Sequence, residues 1–345
     1  MKNDYLWDGS GEPDPEIQHL EEVLGRLRGE AVAWRPPSGG LSAGPAEAGL
    51  HAIARWVPLL ATAAIVALAV GFTWRATRTL APAAAFDVAR IDGRPRIGGR
   101  TVDANGRLAV GQTLTTDGSS RARIEVGAIG EVTVDRDSRV RLVTTRPDRH
   151  QFALDRGTLH ARITAPPGQF IVDTPSATAT DLGCAYTLHV DDEGGGRLMV
   201  ETGWVAFEYD GRESFVPQGA SCAMDPRGGP GTPSFDDATK AFHEGLDAFD
   251  FGAGPARADG LRRVLKEAHR RDALTLWHLL PRVDAADRGA VFDALAARFA
   301  PPDGVTREAV LRLDRTALDR WWETFELGDV SFWRSWKRPL PAEVR

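Results

Sequence analysis

The chain has 345 residues, room for two or three ordinary domains, and an apolar content of 42 % that is sufficient for real hydrophobic cores. A net charge of -6 leaves no excess of cation to neutralise phosphate, which argues against direct nucleic-acid binding. The two cysteines, Cys184 and Cys222, lie on the same side of the longest apolar run and are compatible with one disulfide or with two buried thiols.

The first 55 residues carry nine acidic and five basic side chains. Within an arm spanning 1–35, Pro15 opens the segment PEIQHLEEVLGRL. Its apolar residues Ile17, Leu20, Val23, Leu24 and Leu27 fall at helical spacing, with acids near the start and arginines near the end as the helix dipole prefers. One amphipathic helix is predicted there. A helix this short is marginal alone in water, so its apolar face needs a cover. Its acidic polar face suits an anionic membrane surface poorly, which favours a protein partner. Trp7, next to Tyr5 and Leu6, adds an aromatic handle of the kind that anchors interfaces. Residues 36–55 begin PPSGGLSAGPAEAG and read as a flexible linker.

Trp56 to Trp74 holds nineteen residues without a charged side chain, and Arg55, Arg75 and Arg78 bracket it. A membrane span needs about twenty largely apolar residues, and flanking arginines can reach the headgroups. A buried core helix would keep a polar stripe. A cleaved signal peptide would start nearer the amino terminus and have an apolar run of ~7–15 residues, although Ala83-Ala84-Ala85 has the small-residue character of a cleavage site. One transmembrane helix over 56–74 is the expectation.

From 86 to 225 the period becomes two. Ala122, Ile124 and Val126 alternate with polar residues, as do Val132 and Val134, Val140 and Leu142, Phe152 and Leu154, and Leu159, Ala161 and Ile163. The pattern continues through Phe170 and Val172, Tyr186, Leu188 and Val190, Leu198 and Val200, and Val205 and Phe207. Asn105-Gly106, Asp117-Gly118, Gly194-Gly195-Gly196 and Asp210-Gly211 supply turn chemistry between them. Short strands at this spacing predict an antiparallel sandwich, a roll or a solenoid-like stack, and exclude alternating βαβ units.

Several segments in this region carry a family resemblance. GQTLTTDGSSRARIEV is followed by GEVTVDRDSRVRLV, FALDRGTLHARI, FIVDTPSATATDLGCAYTLHV, MVETGWVAF and VPQGA. This order resembles the FecR domain of bacterial envelope regulators over about 86 to 222. The motif positions are Gly111 and Thr116 in the opening, Thr174 and Pro175 in the F-x-V-x-T-P-x-A strand, Gly183, and Gly203 in the G-x-V turn. Where the family usually reads Gly-Thr-x-Phe, this chain has Gly183-Cys184-Ala185-Tyr186, a departure that favours pairing of Cys184 with Cys222 as a disulfide.

The resemblance implies a single-pass protein of the bacterial inner membrane. Its amino-terminal arm would be cytoplasmic and contact an extracytoplasmic-function sigma factor, and its β domain would be periplasmic and receive a signal from a ligand or protein there. The arginines beside the span, with Arg55 before it and Arg75, Arg78, Arg90 and Arg94 after it, are distributed against the positive-inside bias, so the orientation comes from the resemblance alone.

After 232 the period is helical. Ser234 with Asp237 resembles a capping box for a helix carrying Phe242 and Leu246, which Gly252 to Pro255 ends. Further helices are predicted around Leu261, Val264, Leu265 and Ala268, around Leu274, Trp277, Leu279 and Leu280, and around Val291, Leu295 and Phe299. Thr306 caps Val310 and Leu311, and a last helix holds Leu318, Trp321, Trp322 and Phe325. A compact α-helical bundle, or a few solenoid-like helix pairs, over 232–345 is the expectation. The tail of this region carries Trp333, Trp336, Lys337 and Arg338.

No phosphate-binding glycine loop, G-x-S-x-G elbow or H-E-x-x-H helix is present, and the eight histidines are scattered. His160 and His189 alternate away from the apolar set, and Asp135 and Asp137 bracket a turn. The reading is a non-enzyme without cofactor or metal: a transmembrane signalling regulator controlling a sigma factor. The alternative is an envelope-anchored binding or structural module for a polysaccharide or protein, with an inert arm.

Overall fold

The structure is a computed structural model that describes residues 85–327, all within one compact unit. The predicted span 56–74, the linker, Trp7 and the helix bearing Ile17, Leu20, Val23, Leu24 and Leu27 lie outside these residues, as does the tail after 327. Among the described residues no helix is long and apolar enough to cross a membrane.

Eighteen strands precede the helices among the described residues. They are β1 (Ala85–Asp92), β2 (Arg96–Ile97), β3 (Arg100–Thr101), β4 (Asn105–Ala109), β5 (Thr113–Thr115), β6 (Arg121–Glu125), β7 (Gly130–Val134), β8 (Arg139–Arg146) and β9 (Arg149–Ile163). The second half comprises β10 (Phe170–Asp173), β11 (Thr178–Asp181), β12 (Ala185–Val190), β13 (Gly196–Thr202), β14 (Trp204–Tyr209), β15 (Arg212–Pro217), β16 (Ala220–Asp225), β17 (Gly229–Pro230) and β18 (Ser234–Phe235). The predicted mainly β central region is therefore present. Its alternating set from Ala122 to Phe207 is buried throughout.

The strands form two sheets that share β9. One runs β4-β1-β6-β7-β9-β12-β13-β16, with β17 and β18 on β16. The other runs β3-β2-β5-β8-β9-β10-β11-β14-β15. Their apolar faces contribute to a single core. The two strand segments expected around Phe152 and around Leu159 are one fifteen-residue strand, because no turn-forming pair separates them. The strand changes sheet at Gly157, whose φ of +90° suits only glycine and where a Cβ would overlap Ser138. The β9–β10 pair is parallel, an exception to the antiparallel expectation. Asn105-Gly106 is no turn either, for it opens β4 against β1. Asp210-Gly211 does form a tight hairpin turn, with both residues at positive φ.

Six α-helices follow among the described residues, α1 (Lys240–Phe251), α2 (Pro255–Glu267), α3 (Ala273–Leu279), α4 (Ala285–Ala296), α5 (Arg307–Leu311) and α6 (Arg315–Glu323). Helix α1 starts later than the Ser234–Asp237 signal suggests. Ser234 is buried in β18, paired with Ser221, and the cap is Thr239, whose hydroxyl accepts from the Phe242 N–H at 3.1 Å. The expected caps hold elsewhere. Thr306 Oγ1 accepts from the Ala309 N–H at 3.2 Å, and Pro255 occupies the first turn of α2. Trp277 donates its indole N–H to the Leu318 carbonyl at 2.9 Å, and Trp321 donates to the Phe299 carbonyl at 3.2 Å, so α6 is fastened to its neighbours by polar as well as apolar contacts.

Candidate functional site

The family-motif positions serve the turns of the β region. The Thr116 hydroxyl donates to the Asp135 carbonyl at 2.6 Å and accepts from the Ser138 N–H at 2.9 Å, tying two loops together below the surface. Thr174 organises the turn that contains Pro175. Its hydroxyl donates to the Ala177 carbonyl at 2.8 Å and accepts from the Ala177 N–H at 2.9 Å. Gly111 donates its N–H to the Leu142 carbonyl at 2.8 Å. Gly203 has φ +74°, and a Cβ there would overlap the Gly183 carbonyl oxygen and stand 3.0 Å from Cys184 Cβ. Glycine is required because two backbones meet where the chain crosses from β11 to β12.

That crossing also settles the cysteines. Cys184 and Cys222 are both buried free thiols, so the disulfide favoured by the sequence is absent. The register supplies the reason. Cys222 pairs with Leu198 on β13, which pairs in turn with Leu188 on β12, four residues beyond Cys184. Two strand spacings across and four residues along place the two Cα atoms roughly 16 Å apart, beyond the ~7 Å limit for a bridge. The Cys222 thiol donates to the Gly231 carbonyl at 3.1 Å, and burial pushes it up to about 12.

The Cys184 thiol donates to Asp181 Oδ2 at 2.6 Å, and the Gly183 N–H donates to Asp181 Oδ1, also at 2.6 Å. Asp181 is 1 % exposed and lies between the sheets. Burial raises its carboxyl to about 7 against the lowering effect of the donated hydrogen bonds, and burial also holds the Cys184 thiol far above its ordinary range. Tyr186 is also within the core, and among the described residues its hydroxyl has no hydrogen-bond partner. Asp181 continues the inward alternation of Ala177 and Ala179, and that alternation is the signal in the sequence that points to its burial.

A second polar cluster joins the sheet to the helices. β15 is an edge strand, and its outward backbone groups face α3 and the turn after it. The Phe215 N–H donates to His278 Nε2 at 3.1 Å, while Arg282 donates to the Glu213 carbonyl at 2.8 Å and to the Ser214 hydroxyl at 2.7 Å. His278 and Arg282, four residues apart, thus occupy the hydrogen-bonding positions that a further strand would take. The other ring nitrogen of His278, Nδ1, lies 2.8 Å from the Leu274 carbonyl, so the neutral tautomer that satisfies both contacts carries its proton there.

Behind Arg282, Asp250 accepts from Arg212 at 2.8 Å, from the Thr232 N–H at 2.6 Å and from the Thr232 hydroxyl at 2.9 Å, with its side chain 2 % exposed. Burial lowers the Arg282 guanidinium to about 10, opposed by the attraction of Asp250, so it remains cationic at neutral pH. Above this cluster lies an aromatic layer. Trp322 packs 4.8 Å from Trp277 and 6.3 Å from both Trp204 and Phe215, measured between ring centroids. A groove of about 570 Å³ opens beside it, lined by Arg212, Glu213, Trp277, Arg282, Arg315 and Asp319 among others. These residues come from separate regions of the chain, and no sequence motif groups them. Among the described residues no set of three or more His, Cys, Asp or Glu side chains is placed to hold a metal.

A family match falls on the same β region. Residues 112–206 match the FecR protein family. The match covers the opening motif from Gln112 onward, the Thr174-Pro175 turn, the Gly183 crossing and Gly203. The resemblance read from the motifs therefore holds for this part of the chain. No curated protein matches the sequence. Two crystal structures, at 1.65 and 2.50 Å resolution, of a proposed anti-sigma factor from Parabacteroides distasonis ATCC 8503 are similar at 16 % identity and a TM-score of 0.33. The alignments cover 37 % and 38 % of this chain and 61 % and 63 % of those chains.

Proposed function

We propose that this chain is a non-catalytic envelope regulator that transmits a signal to an extracytoplasmic-function sigma factor. The observation that carries the reading is the FecR family match, placed on a β region whose motif residues build turns and a sheet crossing rather than a reacting centre. In this reading residues 56–74 cross the bacterial inner membrane once. The acidic arm, with Leu20 and Leu24 on its apolar face, meets the sigma factor in the cytoplasm, and the sheets with their helices lie in the periplasm. The seam at β15 supports a relay role. His278, Arg282 and the Trp322 layer hold the helices to the sheet edge, so a force applied to either part is passed to the other.

The test is co-purification of sigma factors with the full-length chain, comparing it with the double variant Leu20→Asp and Leu24→Asp, alongside transcript profiling on deletion. Specific capture that the double variant loses is the expected result. Deletion without transcriptional effect, together with no captured sigma factor, overturns the proposal and favours a binding module with an inert arm.

A further inference from the structure

We propose that Asp181, Cys184 and Tyr186 form a proton-operated latch at the crossing between the two sheets. Asp181 ends β11 in one sheet, Tyr186 lies in β12 of the other, and the connection between them is only three residues long. The carboxyl is buried, and among the described residues no cation contributes to its environment. The groups that act on it are the Cys184 thiol and the backbone N–H groups of Gly183 and Cys184. Around it, β14 supplies the backbone of Val205, and the turn at 168 donates the Gly168 N–H to the Asp181 carbonyl at 2.9 Å.

The two protonation states demand different hydrogen bonds. An ionised Asp181 accepts the Cys184 S–H at Oδ2 and the Gly183 N–H at Oδ1. A proton on Oδ2 is incompatible with the S–H bond to the same lone-pair direction, so the thiol proton turns away and the new O–H donates to the Cys184 sulfur, a weak acceptor, or to a better one. The Tyr186 hydroxyl, five residues on and buried without a hydrogen-bond partner among the described residues, is a group in the core with unused capacity. Because Gly203 presses against Gly183 and Cys184, a rearrangement there is transmitted to the start of β14. The ionised form leaves a charge in the core without a counter-ion, and the neutral form removes it. Acidification therefore tightens the crossing.

A carboxyl whose folded pKa lies above its unfolded value makes the folded state bind the extra proton. Its stabilisation is fully present below the unfolded pKa of about 3.9 and is lost as pH rises through the folded value. With the folded value at about 7, the unfolding equilibrium constant of the wild type should fall about a hundredfold relative to Asp181→Asn between pH 8 and pH 5. The experiment is chemical denaturation of the purified full-length chain and of that variant across this range. Parallel pH dependence of the two proteins overturns the proposal.

Carbon-13 NMR of the Asp181 carboxyl in the wild type, compared with Cys184→Ala, provides a second measurement that does not require the Asn variant to fold. A midpoint near neutrality that rises when the thiol donor is removed supports the latch. Titration with the ordinary carboxylates, or a midpoint unmoved by Cys184→Ala, overturns it. No sigma factor enters either measurement, so this inference stands or falls separately from the proposed function.

Discussion

Trp322→Ala probes whether the helices and the sheets behave as one cooperative body. Trp322 is fully buried, and its ring contacts Trp204 on β14, Phe215 on β15, Trp277 on α3 and Phe325 beyond α6. Truncating so large a buried aromatic side chain costs about 3–5 kcal/mol, from lost transfer energy and the cavity left behind. For a folded unit of this size each kcal/mol lowers the melting temperature by about 2–4 °C, so a fall of roughly 10 °C is expected. The loss should be shared across the seam. The Phe215 amide, bonded to His278, should lose hydrogen-exchange protection together with the amides of α3. Circular dichroism melting and amide exchange of the full-length chain measure both effects. A melting temperature lowered by less than about 3 °C, or a Phe215 amide as protected as in the wild type, would refute the coupling argument.

Two further outcomes follow from the crossing between β11 and β12. Gly203→Ala forces a Cβ against the Gly183 carbonyl at a positive φ and should cost about 2 kcal/mol or more, read as a lowered denaturation midpoint, whereas Gly211→Ala in the open hairpin turn, where a Cβ meets nothing, should cost about 1 kcal/mol. The thiols of Cys184 and Cys222 should resist a bulky thiol reagent in the native chain and react fully on denaturation without reductant, and a single slow-reducing bridge would contradict the register that separates them.

Much of the β region was legible because period-two alternation reports burial directly. Every inward residue named from Ala122 to Phe207 is buried, and the Asp210-Gly211 turn forms as its residue types require. The strands around β15 to β18 were harder to read, since Ser214, Ser221 and Ser234 are buried polar residues that break the apolar pattern while hydrogen-bonding inside the structure. The helix start was misplaced for a related reason. Ser234 has the chemistry of a cap, but pairing with Ser221 in β18 claims its backbone first. The helices themselves were read correctly in their apolar faces, with Val264, Leu295, Trp321 and Trp322 all buried.

The sequence by itself determined the change to period two at about residue 86, the FecR-type motif order, the apolar faces of the carboxyl-terminal helices, and the G-x-V turn at Gly203. Each of these depends on a few neighbouring residues, whose local conformational preferences do not need the rest of the chain. Tertiary structure alone decided that β9 serves two sheets, that Cys184 and Cys222 are too far apart to bridge, and that Asp181 is enclosed without a cation. It also brought His278, Arg282 and Trp322 to the edge of β15, from positions 63 or more residues further along the chain in the case of His278 and its partner. These outcomes depend on register and on packing between distant segments, which a single residue shift would change and which no local pattern encodes.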